Sequence, residues 1–156
     1  MNQYKKKILD HYQNSIDFVK SLKRLSEKEW RTQIGEDKWT IAEVIGHFPP
    51  WDQFVMQHRI PYIFSDLELP KGPDTEKTNS ASAKISRMEE KEETIHRFIA
   101  ARKELYEAIQ QIPDGCWEKR IRIGKTKMFL YEYFYGLMEN DRHHFGQINR
   151  TLQSGE

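Results

Sequence analysis

The sequence predicts an all-α fold, a four-helix bundle with a long crossover between helices two and three. Three observations predict it. Four segments repeat their apolar residues at intervals of three and four, as one stripe of a helix does. Two of the helix starts carry a hydroxyl residue followed three positions on by Glu, the pattern that satisfies free amides at a helix N-terminus. Between the second and third segments, residues 61 to 80 hold three prolines and many turn formers and show no sustained period.

Helix one follows from Tyr4, Ile8, Tyr12, Ile16, Val19 and Leu22, which fall on a single stripe. Its polar face, Lys5 to Lys7 included, reads as a solvated surface. Ser26 and Glu29 then offer a capping box for a short extra turn.

Helix two starts at Thr40, with Glu43 three residues on, and carries Ile41, Val44, Ile45 and Phe48 as its apolar stripe. Pro49 and Pro50 remove two amide donors, so two helical pieces joined at the prolines are expected, with Trp51, Phe54 and Val55 on the second. After the crossover, one long helix three runs from about Ser80 through Ile85, Met88, Ile95, Phe98, Ile99, Leu105, Tyr106, Ile109 and Ile112. Pro113, Asp114 and Gly115 end it. The stretch CWEKRIRIG alternates Trp117, Ile121 and Ile123 with charges and reads as a short extended piece, too small to make a sheet alone. Thr126 is the expected cap of helix four, whose stripe holds Leu130, Tyr133, Leu137, Asp141, His144, Ile148 and Leu152.

The 156 residues suit a single domain over 1–156, with 37% hydrophobic and 31% charged residues. Lys and Arg total 25 against 24 acids, for a formal net charge of +1. Such a balance gives no field to collect phosphates, so nucleic acid is not an expected partner. One cysteine, Cys116, builds no disulfide framework, and the polar first residues do not resemble a signal peptide. No apolar run reaches the roughly 18 residues of a membrane span. The expectation is a cytoplasmic protein without a membrane role.

Of six histidines, His11, His58 and His96 stand alone in helical stretches and read as surface or boundary residues without a function. His143 and His144 are adjacent and point apart. At about 100° per residue, His144 falls about 40° from the centre of helix four's stripe and His143 about 140° away, so His144 is the inward one. Asn140 stacks one turn before it, an i, i+4 pair able to grip one ion or ligand, although an amide oxygen is a weaker donor than a second imidazole. His47 flanks helix two's stripe directly before the prolines. Two inward imidazoles can equally hydrogen-bond each other or a core tyrosine, and spacing alone leaves that open.

The segment KWTIAEVIGHFPPWDQF, with Trp39, Thr40, His47 and Asp52, resembles the helix-two signature of the DinB-like bacterial damage-inducible family. The segment NDRHHFGQINR, with His144, Gly146, Gln147 and Ile148, resembles that family's second signature on helix four. The resemblance implies a four-helix bundle with a long crossover, often a homodimer, and a divalent metal held by three histidines at one end of the bundle. The corresponding ligands are His47, Asn140 and His144, with Zn or Ni as the ion, and Asn140 stands where the family has His. Some relatives are similar to metal-dependent thiol transferases that activate a low-molecular-weight thiol such as bacillithiol or mycothiol. A small thiol and an electrophilic substrate are the partners so implied. A metal site degraded by Asn140 implies instead a non-catalytic, small-ligand-binding or stress-induced bundle protein. Asp52 is either a partner behind the ligands or a helix-surface charge, the second being the preferred reading.

Overall fold

The computed structural model describes residues 1–64 and 68–154; the part of the predicted crossover at 65–67 and the last two residues lie outside it. Helix α1, Gln3–Ser21, starts where the Asn2 side chain accepts from the amides of Tyr4 and Lys5, and it buries Ile8, Leu9, Tyr12, Ile16 and Val19. A 3-10 turn, Leu22–Arg24, leads to the short α2, Glu27–Trp30, which the Ser26–Glu29 capping box opens. The Thr40–Glu43 box opens α3, Ile41–Gly46, every residue of which is buried.

Helix two is in two pieces, as expected, but the joint precedes the prolines. It lies at His47, which closes α3 and opens α4, Phe48–His58. Pro49 and Pro50 occupy the first turn of α4, where an amide has no intrahelical acceptor and proline's fixed φ is already helical. Gly46, just before the joint, is demanded by packing. A Cβ there would lie 1.6 Å from Ser86 Oγ and 2.8 Å from Ser86 Cβ.

The predicted single helix three is in fact two, α5 at Thr75–Met88 and α6 at Lys91–Gln110. Helix α5 begins before Ser80 because the Asp74 side chain accepts from the Lys77 amide, which shortens the crossover. The chain then turns at Glu89, which is extended, and Glu90 caps α6 in a capping box with Glu93. Arg31 holds this corner by donating to the carbonyls of Ser86 and Glu89. In consequence Ile85 and Met88 leave the core stripe and are exposed.

Before the last helix, Arg120–Ile123 (β1) and Thr126–Phe129 (β2) pair as an antiparallel hairpin. Gly124, with φ +60°, supplies the turn conformation that other residues adopt at a cost. Thr126 is thus a strand residue, not a cap. Helix α7, Leu130–Ser154, begins after Glu132 reaches back to accept from the Phe129 amide.

The bundle is formed by α1, α3–α4, α6 and α7, with α5 packed on α3 and α6 packed on α1 and α4. Its core is two apolar clusters, one around Tyr12, Val55, Leu105, Trp117 and Phe134, the other around Ile16, Trp30, Ile45, Phe48, Phe98 and Ile148. Fully burying such a side chain contributes about 1.5–3 kcal/mol, so these clusters hold the helices together. On each bundle helix one buried polar residue falls between members of the two clusters: Ser15, Asp52, Arg102 and Asp141. Among the described residues no helix is long and apolar enough to cross a membrane.

Candidate metal centre and ligand cavity

His47 owes its position to the α3–α4 joint. Its amide donates to the carbonyls of Glu43 and Val44, and its ring nitrogen Nδ1 hydrogen-bonds the Val44 carbonyl. A carbonyl can only accept, so Nδ1 carries the proton and Nε2 keeps its lone pair. The ring is buried against Trp39, Phe48 and His144, its centroid 4.9 Å from that of His144 at 73°. Burial lowers its pKa to about 4.

His144 repeats the arrangement from α7. Its Nδ1 lies 3.0 Å from Gln147 Oε1, one turn on, which again leaves Nε2 as the free nitrogen. Burial lowers its pKa, and the neighbouring His143 works in the same direction against the Gln147 bond. His143 is exposed, as the helical wheel requires. The two imidazoles approach ring to ring, while each Nδ1 bonds a group of its own helix.

His47, Asn140 and His144 line one cavity of about 350 Å³, with Asn140 the exposed member. Trp51, Phe54, Val55, Tyr133 and Leu137 form its apolar and aromatic walls, and Arg59, Thr75 and Asn79 add polar groups. As a cation site it offers two imidazoles in the correct tautomer and one neutral amide oxygen. Among the described residues no group of three or more His, Cys, Asp or Glu could hold a metal ion. The residues fit a divalent cation as an incomplete set, weaker than three imidazoles would be.

Asp52 is not the helix-surface charge that was expected. It is 5% exposed and accepts from Arg102 Nε at 2.7 Å. Arg102, 1% exposed, also grips Asp141 with both terminal nitrogens, at 2.7 and 3.0 Å, and donates to Ser15 Oγ. Its guanidinium stacks over the rings of Tyr12, Phe48 and Phe98. His11 joins this network, Nε2 lying 2.7 Å from Asp141 Oδ2, so it is a boundary residue with a definite partner; His58 and His96 are exposed.

The two acids divide one cation unequally. For Asp141, burial is outweighed by the two-point Arg102 contact and His11, and its pKa falls below the ordinary value. For Asp52, burial outweighs its single Arg102 bond and raises the pKa to about 6. Burial disfavours the Arg102 cation, but the two acids more than compensate and keep it charged. Helical spacing carried the signal for this network, because Arg102 sits four residues after Phe98 and three before Leu105, inside an apolar stripe. Asp52 likewise lies between Phe48 and Val55.

The family model described as the DinB superfamily matches residues 12–148. No curated protein matches the sequence significantly. Among solved structures, the chain is similar to YfiT from Bacillus subtilis, described as a probable metal-dependent hydrolase with an unusual four-helix bundle topology. The identity is 12%, the TM-score 0.79, and 96% of this chain and 86% of that one are covered. It is also similar to the mycothiol-dependent maleylpyruvate isomerase, at 11% identity and a TM-score of 0.70, over 95% of this chain and 63% of that one. Likenesses at this identity establish the fold.

Proposed function

The chain belongs to the DinB superfamily, and from that premise we propose that its cavity is a metal-assisted small-thiol site in which His47, Asn140 and His144 hold a divalent cation such as Zn or Ni. The observation that carries the reading is that these three residues, from the α3–α4 joint and from α7, line one cavity. A fold neighbour named for mycothiol dependence and another named as metal-dependent support it at the level of chemical class.

A bound divalent cation lowers the pKa of a thiol or water presented to it, so that the nucleophilic anion is available at neutral pH. The protein's own residues prepare that chemistry. Val44 and Gln147 fix the tautomers of His47 and His144, so that both rings present a lone pair without first losing a proton. The lowered pKa values keep both rings neutral near pH 7. Trp51, Phe54 and Leu137 give the cavity an apolar lining beside the histidines, and its volume of about 350 Å³ is in the range of small-ligand pockets, which suits a small thiol such as bacillithiol.

One observation favours a second reading. The third corner is a neutral amide, and the nearby acids Asp52 and Asp141 are committed to Arg102. A cavity so furnished also suits a non-catalytic ligand-binding protein.

Elemental analysis after dialysis against Zn or Ni tests the proposal. Wild type is expected to retain metal substoichiometrically, His47→Ala to lose it, and Asn140→His to tighten retention by ~10-fold or more, the scale on which even outer partners of a metal site act. Equal metal content in wild type and His47→Ala would overturn the centre. Conjugation of an electrophile by a small thiol, with and without metal, separates the two readings, and absence of metal-dependent turnover selects the second.

A further inference from the structure

We propose that the cavity recognises a small organic anion, a carboxylate carried on an apolar or aromatic body, and that Arg59 is its anchor. The inference rests on the reading of this cavity as the functional pocket, and it names the ligand class.

Arg59 closes α4 and is 9% exposed, yet no Asp or Glu among the described residues pairs with it. Its Nε donates to the Pro70 carbonyl at 2.8 Å and its Nη1 to the Tyr133 hydroxyl at 3.1 Å. The guanidinium lies over the rings of Phe54 and Tyr133, at 4.8 and 5.4 Å. A guanidinium has five N–H donors in a planar fork; among the described residues two are engaged, which leaves the terminal edge with three. Arg59 lines the cavity, and that space is where the free edge can act.

A buried cation with neutral partners alone is an unfinished arrangement, because its desolvation is offset fully only by an anion. The other polar groups favour the same sign of ligand. Tyr133, whose oxygen accepts from Arg59, keeps its own proton to donate. Trp51 Nε1 donates to Asn79 Oδ1 at 2.8 Å, which turns the Asn79 amide so that its NH2 is left to donate. Among the described residues that line the cavity, none is Asp or Glu. A planar carboxylate matches the free guanidinium edge in a two-point contact, and Trp51 and Phe54 provide an apolar surface for the rest of the molecule. Those walls favour an organic acid over a bare inorganic anion.

The test uses the whole chain stripped of metal with EDTA and then dialysed free of the chelator, itself a carboxylate, with phenylacetate, 2-phenylethanol and inorganic phosphate as probes, followed by calorimetry and by the indole N–H resonance of Trp51. Phenylacetate is expected to bind about tenfold or more tighter than the alcohol, the scale of one charge-assisted hydrogen bond, and to shift the Trp51 signal. Phosphate is expected to bind more weakly than phenylacetate. Arg59→Gln is expected to abolish the preference for acid over alcohol, and Arg59→Lys to retain part of it. Equal affinity for acid and alcohol in the wild type would overturn the proposal without recourse to any variant. Phosphate binding as tight as phenylacetate would overturn the organic-acid class, and undiminished binding by a folded Arg59→Gln protein would overturn the anchor. Because these measurements exclude metal, loss of metal by His47→Ala with phenylacetate binding intact leaves this inference standing, while failure here leaves the metal centre's own test unaffected.

Discussion

Arg102 and Arg59 are both buried, and their surroundings differ in one respect. Arg102 spends its guanidinium on two carboxylates, a serine hydroxyl and three aromatic faces, and ties α1, α4, α6 and α7 at the layer between the two apolar clusters. Arg59 has a carbonyl, a phenol and two aromatic faces, and it borders a cavity. A cation whose donors are spent inside the fold holds the fold, whereas one with donors left over is suited to something from outside. The same residue type is structural in one place and a recognition element in the other.

The sharpest way to break this comparison is Arg102→Met. It leaves Asp52 and Asp141 buried without their counter-charge, and urea denaturation is expected to show a loss of about 3–5 kcal/mol. A loss below ~1 kcal/mol would mean that the network does not brace the bundle.

A second effect comes from pH, measured in EDTA. The folded pKa of Asp52, about 6, lies above its ordinary value of 3.8. The folded state therefore holds a proton that the unfolded chain releases, and this contribution is full below pH 4 and lost as pH rises through about 6. His47 has the opposite sign, because its folded pKa of about 4 lies below the ordinary 6.5. Its contribution is full above about pH 6.5 and lost as pH falls through about 4. The two oppose each other in one window, and His144, also lowered, acts with His47. Relative to wild type, Asp52→Asn is expected to gain stability as pH rises from 4 to 6.5. The gain reaches up to ~3 kcal/mol, because each tenfold difference in proton affinity between folded and unfolded chain is worth about 1.4 kcal/mol. His47→Gln should tilt the profile toward lower pH. If neither substitution changes the slope, the assigned directions are wrong.

The smallest expected effect is the stability change of Arg59→Met. It removes two hydrogen bonds and two ring contacts but strands no buried anion, so about 1–2 kcal/mol is expected from the same denaturation measurement. A loss as large as that of Arg102→Met would erase the contrast and make Arg59 a second brace.

Much of the fold was legible in the residue pattern because helices repeat locally. The stripe from Tyr4 to Leu22 defines α1, and the Ser26–Glu29 and Thr40–Glu43 pairs mark the starts of α2 and α3. The helical wheel separates inward His144 from exposed His143. Less legible were the joint at His47, the corner at Glu89–Glu90 and the hairpin before α7. Each depends on a partner distant in sequence or on a choice between two locally acceptable conformations. Proline tolerates the first turn of a helix as readily as it breaks a later one. Apolar residues on both sides of Glu89 share a period, yet Ile85 and Met88 face solvent once Arg31 holds the corner.

The sequence by itself determined α1, the capped starts of α2 and α3 and the inward histidine of α7, because each follows from spacing along one helix, while the reading of Asn140 as an amide in place of an imidazole came from the family resemblance. Only the tertiary structure decided that His47 and His144 meet, that Asp52 and Asp141 share Arg102 across 50 and 39 residues of chain, and that Arg59 has no acid among the described residues. A helix's period tells which way a side chain points but carries no information about what waits on the other side. That is supplied by packing between elements far apart in sequence, and it separates a finished ion network from an open cavity.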